Sequence, residues 1–110
     1  MKMDRNINPN GRGKYALLLL RKLALCEGGT TFNNAIEQAV QTLDEAGLID
    51  WGIVGTDREF FLMRLKDKYA EDGLLAYAKA AAVDDLEYAG EVQDMANRAG
   101  TNSPFCKRPD

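Results

Sequence analysis

A mainly helical α+β domain, ordered α-α-β-β-α-α, is the fold class this sequence predicts, and three observations carry it. Apolar residues recur at helical spacing before residue 47 and after residue 67; a period-two stretch at 48–65 interrupts them; glycines stand at the junctions, at Gly28-Gly29, Gly47 and Gly100. In this scheme one β-hairpin packs among four helices in a single domain, 1–110. Residues 1–13 form an irregular basic leader, 14–100 the folded core and 101–110 a tail. A length of 110 residues with 45% hydrophobic content suits one core.

The leader holds Asn6, Asn8, Pro9, Asn10, Gly11 and Gly13, all turn formers. A leucine-rich run free of β-branching then predicts a helix over about 14–26, with Lys14, Arg21 and Lys22 sharing one narrow polar side. The second helix opens among Thr30, Thr31, Asn33 and Asn34, where Asn34 and Glu37 resemble a capping box. Its stripe of Phe32, Ile36, Ala39, Val40, Leu43 and Ala46 faces inward, and Gly47 offers the C-terminal cap.

Within 48–65, alternation places Ile49, Trp51 and Ile53 on one side of a first strand and Phe61, Met63 and Leu65 on the same side of a second. Gly55-Thr56-Asp57-Arg58 supplies the turn. With Trp51 in a core, Trp51→Ala is expected to remove roughly 3–5 kcal/mol of stability. A third helix follows from about 67 or 68 to 82, with Tyr69, Ala70, Leu74, Tyr77, Ala78 and Ala81 inward and weakened by Gly73. The fourth starts at Asp84 as N-cap, with Glu87 three residues on and Val83 and Tyr88 as a hydrophobic staple; Val92, Met95, Ala96 and Ala99 continue its buried side. The tail is held by Phe105.

Several function classes are disfavoured by composition. There is no His, and the two cysteines, Cys26 and Cys106, are eighty residues apart, which removes the usual zinc spacings and any Cys-His or Ser-His pair. No carboxylate pair stands out for acid–base work, so neither an enzyme nor a metal or cofactor site is expected. The cysteines are expected to be free thiols, Cys26 buried and Cys106 in the tail. No apolar run reaches membrane-spanning length, and Lys2 and Arg5 are not followed by the apolar segment of a secretory signal, so a cytoplasmic protein is expected.

The net charge of −3 conceals an uneven layout. Residues 1–22 hold six basic side chains against one acidic, residues 23–97 five against fifteen, and the remainder three against one. An acidic middle suits a basic partner better than nucleic acid. At the basic end, Gly-Arg-Gly-Lys at 11–14 before a helix makes an anion site of Arg12, Lys14, Arg21 and Lys22, the basis for a nucleotide- or oligonucleotide-binding reading. It is not a Walker A loop, because no strand leads in and Tyr15 stands where Ser or Thr should hold magnesium.

Leu43-Asp44-Glu45-Ala46-Gly47-Leu48-Ile49 resembles the end of a winged-helix recognition helix running into its wing, which implies a DNA-binding regulator. The solvent side of that helix, Glu37, Gln38, Gln41, Asp44 and Glu45, lacks the basic donors that DNA requires. The whole chain resembles small accessory proteins of bacteriophages and prophages, the class that includes anti-CRISPR and other anti-defence proteins. The segments G-K-Y-A-L at 13–17, E-F-F-L-M-R-L-K-D at 59–67 and N-S-P-F-C-K-R-P-D at 102–110 carry that resemblance. It implies a protein that binds and inhibits or modulates a host protein, such as a CRISPR–Cas effector. The contact would run through the acidic face or the hairpin: Asp44, Glu45, Asp50, Asp57, Glu59 and Trp51. The apolar content of the hairpin and first helix is compatible with a homodimer as well as a monomer.

Overall fold

The computed structural model of the chain describes residues 2–22 and 34–109, without the side chain of Asn34. Three α-helices, α1 (Asn34–Glu45), α2 (Ala70–Ala81) and α3 (Leu86–Ala96), are followed by a 3₁₀ turn at Gly100–Asn102. Residues 20–22 are also helical. The chain divides into two compact units, Asn8–Phe60 and a second made of Met1–Ile7 with Phe61–Asp110.

The expected β-hairpin does not form, so the fold is helical and not α+β: among the described residues there is no strand or sheet. No backbone hydrogen bond joins residues 48–53 to residues 59–64. The local chemistry explains this. Gly52 and Gly55 have positive φ, +58° and +85°, which curl the segment out of the extended region. Side chains then satisfy backbone donors that a ladder would have used: Asp50 accepts from the Gly52 N–H (3.1 Å) and Glu59 from the Gly55 N–H (3.0 Å). The winged-helix comparison loses its wing for the same reason.

The isolated β-bridge lies elsewhere, between Asp67 and Lys107 in parallel sense. The Lys107 N–H donates to the Lys66 carbonyl (3.0 Å) and the Lys68 N–H to the Lys107 carbonyl (2.8 Å). These bonds, not Phe105, hold the C-terminal segment; Phe105 is exposed.

In the second unit, α2 and α3 form a helical hairpin joined by a short connection, with the 3₁₀ turn packed on α2. Its core consists of Ala70, Ala78, Ala89, Val92, Ala96 and Ala99. Alanine keeps full helix propensity and lets two helices approach closely, at the cost of little apolar area per residue. Tyr69 and Tyr77, expected inward, are exposed. The N-cap of α3 is Asp85, one residue later than expected: its carboxylate accepts the Tyr88 N–H at 3.0 Å. Val83 is exposed, so the expected staple is not made. Met3 N–H donates to the Glu91 carboxylate, tying Met1–Ile7 to α3.

In the Asn8–Phe60 unit, α1 ends where Gly47 predicts, but Ile36, Ala39, Leu43 and Ala46, expected to face inward, are exposed. Gly47 at φ +73° ends it in a Schellman motif, with Leu48 N–H donating to the Leu43 carbonyl and Gly47 N–H to that of Asp44, both at 2.9 Å. The predicted helix over 14–26 is not formed at 14–19, and helical structure begins at Leu20. Leu17 to Leu20 are exposed, and a leucine run without a surface to bury it gains too little to nucleate a helix. Residues 23–33, with Cys26, the glycine pair, Phe32 and the expected N-caps Thr30, Thr31 and Asn33, lie outside the described residues. Cys106 is a free, exposed thiol. No helix among the described residues is long and apolar enough to cross a membrane.

Candidate functional site

The Asn8–Phe60 unit carries an open groove of about 910 Å³. Residues 14–18 line one part of it; Leu43 and 47–53 line another, and Thr56, Asp57 and Arg58 close one end. The end of α1 sets its geometry. The Schellman cap turns the chain back over Leu43, so that Leu48, Ile49 and Trp51 follow as groove wall. The Trp51 indole N–H donates to the Asp44 carboxylate on α1 at 2.8 Å, which fixes the ring in place.

The 53–59 turn is tied internally. Thr56 gives both its N–H (3.2 Å) and its hydroxyl (2.6 Å) to the Ile53 carbonyl, and the Arg58 guanidinium pairs with Asp50 at 3.2 Å. The latter pair is well exposed, so it orients Arg58 more than it stabilises the unit. Gly52 sits against the Phe60 ring so closely that any Cβ there would overlap it.

The residues expected to bind a partner all fall in this unit, but most of the carboxylates are internal ties. Asp44 holds Trp51, Glu45 accepts from the Gln41 amide (2.9 Å), Asp50 holds Arg58 and the Gly52 N–H, and Glu59 holds the Gly55 N–H. Asp57 is exposed at the tip of the turn, and Trp51 is 39% exposed on the groove wall, which is not the burial expected of a core residue. Asp50, Trp51 and Asp57 line the groove, whereas Asp44, Glu45 and Glu59 do not.

The anion-binding set is not gathered into one place by the groove: Lys14 lines it, and Arg12, Arg21 and Lys22 do not. The Lys14 ammonium lies 5.4 Å from the centre of the Tyr15 ring. Arg12 belongs to a closed turn, in which the Asn8 side chain accepts from the backbone N–H of Asn10 (3.0 Å) and Arg12 (2.9 Å). The helix whose N-terminus would have completed an anion site at 11–14 begins six residues later.

Sequence reasoning missed Tyr15 and Leu48 as site residues. They are 85% and 72% exposed, and the available signal was their position next to turn-forming glycines, where a bulky apolar side chain has no element to bury it. Among the described residues no three His, Cys, Asp or Glu side chains gather where they could hold a metal. No family model matches the chain, and no curated protein or solved structure matches it.

Proposed function

We propose that the chain is a non-enzymatic accessory protein of the bacteriophage type, which acts in the host cytoplasm by docking a segment of a host protein in the groove of the Asn8–Phe60 unit. One observation carries this reading: bulky apolar side chains, Tyr15, Leu48 and Ile53 among them, stand exposed around a single groove fixed by internal hydrogen bonds. Exposed apolar clusters of this kind in a polar setting are what protein-binding surfaces offer. The volume of the groove lies at the upper end of the range for ligand sites, enough for a few side chains of a partner. Asp57 at its end favours a basic flank on that segment. A host defence complex such as a CRISPR–Cas effector is the partner class implied by the sequence resemblance.

The test is affinity capture from bacterial lysate with the full chain and with Tyr15→Asp and Ile53→Asp, both at exposed positions that leave folding intact. A partner recovered by the parent chain and lost with both variants, at unchanged circular dichroism, supports the reading. Equal recovery by the variants, or no partner at all, refutes it.

A further inference from the structure

Residues 59–64, Glu-Phe-Phe-Leu-Met-Arg, form neither helix nor turn, and none of them has a positive φ. Three large apolar side chains stand exposed in a row there: Phe60 (62%), Phe61 (88%) and Leu62 (53%). Among the described residues, nothing pairs with the backbone N–H and carbonyl groups of residues 60–63. The segment is nevertheless held at both ends. At its start the Glu59 N–H donates to the Thr56 carbonyl (3.2 Å) and the Glu59 carboxylate accepts the Gly55 N–H (3.0 Å). At its end the Arg64 carbonyl accepts the Asp67 N–H (3.0 Å), and the Met63 side chain lies against Gly73 of α2. A short apolar segment without Pro or Gly, with fixed ends and unpaired backbone groups between them, is an open strand edge.

We propose that this segment pairs antiparallel with the same segment of a second copy of the chain, with Leu62 opposite the partner's Leu62 on the two-fold axis. In an antiparallel ladder hydrogen-bonded and non-hydrogen-bonded pairs alternate, so a two-fold pair must set one residue opposite itself. Phe61 and Leu62 are the central choices. With Phe61 on the axis, the Glu59 carboxylate would face the partner's Met63. With Leu62 on the axis, Phe61 faces the partner's Met63 and the Phe60 ring faces the partner's Arg64, a cation–π contact made twice. The backbone favours the same register. Were Leu62 hydrogen-bonded to its copy, the next bonds along the ladder would fall on the Arg64 carbonyl, which Asp67 already occupies. Phe61 and Met63 are therefore the residues that exchange hydrogen bonds with the partner. Fixed ends reduce the freedom lost on pairing. None of residues 60–64 lines the groove of the Asn8–Phe60 unit, so the pairing does not depend on the function proposed for that groove.

Sedimentation equilibrium of the full chain over a range of concentrations tests the pairing, with amide hydrogen exchange in parallel. A reversible monomer–dimer equilibrium is expected, in which the Phe61 and Met63 amides exchange more slowly than those of Phe60 and Leu62. Leu62→Asp, at an exposed position, sets two carboxylates face to face on the axis and is expected to weaken dimerisation at least ~10-fold at unchanged circular dichroism. Ile53→Asp, in the groove, is expected to change it less than ~2-fold. A non-hydrogen-bonded pair brings its Cα atoms to about 4.5 Å, within disulfide reach. In a Cys26→Ser/Cys106→Ser background, Leu62→Cys should therefore form an interchain disulfide with oxidised glutathione faster than Phe61→Cys. The proposal is overturned by a chain that stays monomeric, by assembly that grows past the dimer, or by a dimer that Leu62→Asp leaves intact or Ile53→Asp dissociates. Faster cross-linking through Phe61→Cys overturns the register, and protection of the Phe61 amide only by an extended segment of a different protein overturns the second copy as occupant.

Discussion

Gly100→Ala and Gly90→Ala are the same chemical change in the same unit, and they should have opposite signs. Gly100 opens the 3₁₀ turn at φ +58°, the left-handed region, which an L-residue occupies at a cost of roughly 1–2 kcal/mol. A Cβ at this position would lie 2.9 Å from the Glu71 Cβ and 3.2 Å from both the Glu71 nitrogen and the Lys68 carbonyl oxygen. These atoms belong to the first turn of α2 and its approach, so they cannot swing aside as a flexible side-chain end would. Forced contacts in packed structure add roughly 1–3 kcal/mol, giving a total of about 2–5 kcal/mol. At roughly 4–8 °C per kcal/mol for a domain of this size, the melting midpoint should fall by at least ~8 °C. Gly90, inside α3, has nothing within 4 Å of its Cβ position, so Gly90→Ala should gain about 0.5–1 kcal/mol from helix propensity alone. Urea denaturation of the parent and both variants, followed by circular dichroism, measures the difference. A Gly100→Ala variant within ~0.5 kcal/mol of the parent would refute the close packing of the turn on α2, because no ordinary relaxation removes both the strain and the contact.

Two pH-dependent effects follow from hydrogen bonds in the same unit. The Tyr88 N–H holds the Asp85 carboxyl below its ordinary value of 3.8, so the cap contributes fully above that value and is lost as pH falls through the lowered one. Asp85→Ala should lower the melting midpoint at pH 7 by on the order of a few degrees while Asp85→Asn largely preserves it, and the gap between parent and Asp85→Ala should close in acid; a gap independent of pH would refute this. The Tyr77 hydroxyl, 3.2 Å from that of Tyr88 with the rings tilted 6.2 Å apart, raises the Tyr88 phenol above 10.0. Stability from that bond is full below pH 10 and is lost as pH rises through the raised value. In Tyr77→Phe the Tyr88 ring resonances should titrate at lower pH than in the parent, and an unchanged midpoint would count against the bond.

The parts of the fold legible in the sequence are those decided within a few residues. The C-terminal limit of α1 follows from Gly47, whose positive φ the Schellman cap requires. The α2–α3 hairpin follows from alanines at helical spacing and from an aspartate pair at the start of α3, although which of Asp84 and Asp85 caps depends on which N–H the turn presents. The stretch 48–65 misleads because alternation states only that successive side chains point opposite ways; a sheet also needs a second segment to accept its ladder. Gly52 was the local warning, since a glycine inside an apparent strand marks close approach, here to the Phe60 ring.

The sequence by itself thus determined that helices form around 34–45, 70–81 and 86–96, that glycine ends α1, and that the middle of the chain is acidic. Tertiary structure decided the rest: that Trp51 turns to Asp44 on a groove wall and not into a core, and that the backbone at Lys66–Lys68 pairs with Lys107. The physical reason is contact range. A helix and its cap are made from bonds spanning about four residues, whereas the bridge between Asp67 and Lys107 closes a forty-residue loop whose entropy is repaid only by the packing of α2 and α3 between its ends.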